Sequence, residues 1–138
     1  MIIKFIKSLF NLEDELIIQP TIQGTITSLE IYKLIKTDNI NQLDKQYNLY
    51  SFQQIKDFLL KNQLNFNKFK EELYDCDDFA LHLMSEIKKE FHGIPFGFVI
   101  NKGHAFNIFI DENKQVWFVE PQSDRMYKSS QKLKMVLI

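Results

Sequence analysis

The only cysteine of this 138-residue chain, Cys76, stands in the stretch YDCDDFALHL, with carboxylates at Asp75, Asp77 and Asp78. The reactive form of cysteine is the thiolate, and nearby carboxylates oppose its formation. A helix start favours it, and many catalytic cysteines sit at one. His104 follows Gly103 at the head of an apolar run, and Glu120 ends the run VWFVE. The runs 104–111 and 115–120 are joined by a short polar turn, so they pair as a hairpin and bring Glu120 roughly opposite His104. A carboxylate there can hold an imidazole in its working tautomer. Thiol, imidazole and acid in that order are the parts of nucleophilic acyl chemistry. The competing reading of Cys76 is a small buried hydrophobe. His82, on the far side of the same segment, and His92, at its end, read as ordinary polar groups.

These residues need elements to carry them. Cys76, Phe79, Ala80, Leu83 and Ile87 recur at i, i+3, i+4, i+7 and i+11, which predicts a helix with Cys76 in its first turn facing the core. Acids at its start and Lys88 and Lys89 near its end complement the helix dipole, and Gly93 and Pro95 end it. The runs FGFVIN, HAFNIFID, VWFVEP and KLKMVLI then predict three or four antiparallel strands. Upstream the texture is helical. Residues 2–10 are amphipathic, Ser28 to Ile35 supports a second helix, and Ser51 with Gln54 reads as the cap of a third through about Lys61. Phe52, Ile55, Leu59 and Leu60 form its expected buried face. The expected fold class is α+β: a helical N-terminal half, then a nucleophile helix packed on an antiparallel sheet.

Composition bounds the rest. Apolar content of 45% and charged content of 25% are those of a soluble globular protein. With no repeat and no Gly/Ser or Pro linker, the expectation is one domain over 1–138, a helical subregion 1–62 followed by a core over 65–138. A net charge of −1 offers no electrostatic case for nucleic acid. One cysteine cannot form an intramolecular disulfide. Lys4, Lys7 and Glu13 interrupt the apolar start, which reads as a structural helix and not a signal peptide. No apolar run reaches the roughly 20 residues of a spanning helix. The expectation is a cytoplasmic protein with no membrane partner.

The motifs CDDFA, GHAFN and VWFVEPQ resemble the papain/transglutaminase superfamily of cysteine enzymes. More closely they resemble the C-terminal cysteine-protease domain of the Marasmius oreades agglutinin type and related microbial domains. The likeness covers about residues 65–128. It implies Cys76 as nucleophile, His104 as general base and acid, Glu120 as orienting carboxylate, and activity that depends on calcium or manganese. The residues themselves offer oxygen donors at Asp77, Asp78, Glu120 and Gln122, with Asn107 a further candidate. Such a set suits Ca²⁺ or Mn²⁺ and not zinc. A bound divalent ion would reverse the local field and favour a thiolate–imidazolium pair. Against this stands the reading of the three acids as helix caps. A calcium EF-loop beginning at Asp75 is rejected, because its sixth position is Ala80 and not glycine. The oxyanion donor stays open: the family's glutamine position is Lys70, and Gln63, Asn65 and Asn67 are alternatives.

The resulting expectation is a divalent-metal-dependent, papain-like cysteine peptidase acting on a peptide or protein substrate through a thioester. The alternatives are transglutaminase- or deamidase-type acyl transfer, and a non-catalytic protein, for instance phage-encoded, that keeps the fold and binds a protein partner.

Overall fold

The computed structural model describes residues 19–62 and 75–138. The helix expected over 2–10, and the oxyanion positions Gln63, Asn65, Asn67 and Lys70, lie outside them. The first described element is a strand, β1 (Gly24–Thr27), paired antiparallel with β3 (Gln46–Leu49). Ile26, Tyr47 and Leu49 point inward and their neighbours outward, the period-2 pattern of a half-buried ribbon. Thr27 then caps helix α1 (Ser28–Leu34): its Oγ1 accepts from Glu30 N (3.2 Å), and Glu30 Oε2 accepts from Thr27 N (2.8 Å).

A short strand β2 (Ile40–Asn41) separates α1 from β3. Helix α2 (Phe52–Lys61) opens where the sequence predicts, with Ser51 Oγ accepting from Gln54 N at 3.0 Å. It buries Ile55 and Leu59, but Leu60 is 73% exposed because it lies off the stripe they define. Helix α3 (Cys76–Glu90) buries Phe79, Ala80, Leu83, Met84 and Ile87. Gly93, at φ 72°, turns the chain out of it in the left-handed region that favours glycine.

The remaining strands are β4 (Phe96–Asn101), β5 (His104–Ile110), β6 (Val116–Glu120), β7 (Arg125–Tyr127) and β8 (Met135–Leu137). They form one six-stranded sheet in the order β2-β8-β4-β5-β6-β7, with β2 parallel to β8 and all other pairs antiparallel. Gly97 lets β8 lie close: a Cβ there would strike the carbonyl of Leu137. The expected fold class is therefore corrected. Among the described residues, the first half is not a helical half set on a sheet of three or four strands. It contributes three strands, one of them part of the main sheet, so the described chain is strand-rich with three helices. Short runs such as GTIT and QYNL have too few residues to display a period clearly, and their partners lie far along the chain.

Alternation along β5 divides the core. Ala105, Asn107 and Phe109 face α2 and α3, while Phe106, Ile108 and Ile110 face α1 and the β1–β3 ribbon. Each face carries its own cluster of buried side chains, so the sheet is covered on both sides.

Candidate functional site

Helix α3 is fixed to the sheet by Asn107. This fully buried amide donates from Nδ2 to Ala80 O (2.8 Å) and to Gly97 O (3.0 Å), joining α3, β4 and β5. Its Oδ1 is buried and has no hydrogen-bond partner. Cys76, the first residue of α3, is half-buried and packs against the α3-side cluster.

His104 and Glu120 meet as the hairpin predicts. His104 Nε2 lies 2.7 Å from Glu120 Oε2, with the two side chains 46% and 24% exposed. The ladder Asn107↔Val119 makes this a diagonal contact across β5 and β6. The imidazole also stacks on Phe106, its neighbour two residues along the strand (centroids 5.7 Å apart). Phe106 belongs to the cluster on the other face of the sheet from Cys76. The strand thus unites imidazole and carboxylate, while the thiol packs with the opposite layer. Among the described residues Cys76 makes no hydrogen bond to His104.

Three acids gather at the start of α3. Single carboxylate oxygens of Asp75, Asp77 and Asp78 all lie within 4.8 Å of one another. Asp78 Oδ2 also accepts from Asp75 N at 3.1 Å, so the capping role and the clustering coexist. The all-oxygen donor set fits a hard cation. Its membership differs from the expected one: Asp75 joins Asp77 and Asp78, whereas Glu120 is engaged by His104 through one oxygen and keeps a buried, unpartnered Oε1. Gln122 is half-buried in the turn after β6, where Ser123 N donates to Glu120 O at 3.2 Å.

Neighbours of Glu120 that sequence reasoning passed over come from β7. Glu120 pairs with Arg125, whose guanidinium lies 4.7 Å from the centroid of the Tyr127 ring. Burial, and next the charge of Glu120, push the Tyr127 hydroxyl above its usual pKa. Asp124, between them at φ 59°, has its carboxyl raised from 3.8 to about 6 by burial. The one available signal was the turn-forming run PQSD ahead of a short, β-prone RMY. Among the described residues, no helix is long and apolar enough to cross a membrane.

Comparison with known proteins places this geometry. The sequence matches the family described as ricin-type beta-trefoil lectin C-terminal domain over residues 15–138. A search of curated proteins returns no significant match. Among solved structures, the fold is similar to that of PSL1a, solved as an E64 complex, with a TM-score of 0.69 and 20% identity over 83% of this chain and 50% of that one. It is also similar to the Polyporus squamosus lectin bound to the human-type influenza-binding epitope Neu5Aca2-6Galb1-4GlcNAc, with a TM-score of 0.60 and 20% identity over 83% and 49%. The chain spans about half the length of these structures. At that identity the likeness speaks for the fold alone.

These matches correct the expectation drawn from the short motifs. The assignment to papain/transglutaminase-like cysteine proteases, and with it the label of a hydrolase with a catalytic triad, gives way to a lectin family. CDDFA, GHAFN and VWFVEPQ cover only part of the core, whereas the family match takes in β1 to β3 and β8 as well. The same few residue types can sit on unrelated functions. This chain belongs to the ricin-type beta-trefoil lectin C-terminal domain family.

Proposed function

We propose that this chain is a non-catalytic binding module of the lectin C-terminal kind, which holds a glycan or protein partner. The observation that carries this reading is the extent of the family match, residues 15–138, across both covered faces of the sheet. The glycan bound by the Polyporus squamosus lectin supplies a first ligand to try. In this reading Cys76 is a small packing side chain. The test is binding of Neu5Aca2-6Galb1-4GlcNAc and of candidate glycoproteins to wild type and Cys76→Ala, with intact masses of the partners followed in the same samples. Saturable binding that survives Cys76→Ala, with partner masses unchanged, is the expected result. Partner masses that change with wild type and not with Cys76→Ala would overturn it.

One observation favours a second reading, in which Cys76 is a reactive thiol: it opens helix α3, where a helix start favours a thiolate, beside three acids whose oxygens fit a hard cation. In acyl transfer from a glutamine side chain, the Cys76 sulfur would bond to the amide carbon. The C–N bond would break, and ammonia would leave with the proton that the thiol gave up. Water or an amine would then cleave the thioester. Asp75, Asp77 and Asp78 would hold Ca²⁺ or Mn²⁺, which supplies positive charge beside the thiol. E64, present in the PSL1a complex, and iodoacetamide are the probes. An adduct on Cys76 that forms faster with Ca²⁺ or Mn²⁺, and is absent from Cys76→Ala, supports this reading. Labelling at the rate of a free thiol, with or without metal, refutes it.

A further inference from the structure

On the face of the sheet away from α3, a cavity of about 230 Å³ opens between the end of α1, strands β5 and β6, and the strap of residues 129–133. Its walls are Ile35, Ile108, Val116, Phe118 and Leu133, with Leu34 at the edge. The strap is anchored at both sides of the opening. Leu133 N donates to Lys36 O (2.8 Å), Asn101 Nδ2 donates to Gln131 Oε1 (3.2 Å), and Lys134 N donates to Asn101 Oδ1 (3.2 Å). The cavity is therefore part of the packed structure and is formed before any ligand arrives.

Lys36, Ser129 and Ser130, all exposed, complete its lining. The other lysines nearby are committed. Lys132 pairs with Asp38 at 2.7 Å, Lys128 lies over the Trp117 ring and donates to Gln115, and Lys114 pairs with Glu30 at 2.7 Å. Among the described residues Lys36 forms no ion pair. An apolar chamber with one uncompensated cation at its rim complements a ligand with an apolar body and a single negative head.

We infer that this cavity is a binding site for a small amphipathic monocarboxylate, whose hydrocarbon lies against Ile108 and Phe118 and whose carboxylate meets Lys36. The volume falls below the roughly 300 Å³ at which drug-sized pockets begin. It therefore suits a short chain or single ring, smaller than a drug-sized ligand. Neither His104, Glu120 nor any acid of α3 lines this cavity.

The experiment titrates octanoate into the ¹⁵N-labelled protein and follows backbone amide shifts, with octanol as the uncharged control. Saturable shifts at Leu133, Ile108 and Phe118, with a Kd on the order of 1 mM or tighter, are expected for a ligand of this size. Lys36→Gln should weaken octanoate about fivefold or more and leave octanol within about twofold, since only the charged head loses its partner. Leu34→Glu, at a side chain 40% exposed and so tolerant of the change, should weaken both ligands. Absence of saturable shifts up to about 10 mM octanoate overturns the proposal. So does a Lys36→Gln protein that binds octanoate as well as wild type does.

Discussion

Asp124→Asn should stabilise the protein, and by an amount that depends on pH. Asp124 stands in the turn between β6 and β7 at φ 59°, with its carboxyl raised from 3.8 to about 6 by burial. A raised folded-state pKa means that the folded protein holds this proton more tightly than the unfolded chain does. The associated stability is fully present below about pH 3.8 and is lost as pH rises to about 6; above that, the buried charge is a constant penalty. If all of the shift were expressed, it would correspond to about 3 kcal/mol. Asp124 is only half-buried, and water screens much of that, so we take about 1 kcal/mol. Asparagine keeps the shape, carries no charge and tolerates the left-handed backbone well. The variant should then melt about 3 °C higher than wild type at pH 7 and at nearly the same temperature at pH 3.5. Thermal unfolding followed by circular dichroism between pH 3.5 and 7.5 measures both. A melting difference that is flat across this range, or a destabilised variant at pH 7, would refute the burial argument.

Gly97→Ala should cost about 1–3 kcal/mol, because the added methyl meets the Leu137 carbonyl and β8 must shift; an unchanged denaturation midpoint would show that β8 has room to move. Asn107→Ala removes two buried hydrogen bonds and leaves Ala80 O and Gly97 O without that donor. A loss of about 2–3 kcal/mol in urea unfolding is expected, together with faster hydrogen exchange in α3. Phe79 is 1% exposed in the α3-side cluster. Phe79→Ala should therefore cost about 3–5 kcal/mol through the cavity it leaves, and unaltered thermal stability would mean that the site refills at no cost.

Where the sequence could be read, the signal was local. The start of α3, its buried stripe from Phe79 to Ile87, the Ser51 cap of α2 and the β5–β6 hairpin each arise from residues a few positions apart. The contact of His104 with Glu120 came with that hairpin, because one tight turn sets the register. Short strands gave no comparable signal. β1, β2 and β7 have four, two and three residues, and each is held in place by a partner or by the core beneath it. The motif-based family assignment failed for a related reason: three short strings report residue order, not the elements that surround them.

What the sequence alone determined here is the chemistry on offer: one thiol, a histidine–glutamate pair joined by a hairpin, and three acids at a helix start. Tertiary packing decided how these groups combine. Alternation along β5 set His104 and Phe106 on one face of the sheet and Asn107, beneath α3, on the other. Asp75, and not Glu120, completed the acidic group, and Glu120 was drawn to the imidazole. The crevice beside Lys36 needs α1, β5, β6 and the 129–133 strap at once, segments separated by up to about a hundred residues. Periodicity and capping act over a turn or two of chain. Which faces meet across the sheet depends on long-range burial, which no local pattern encodes.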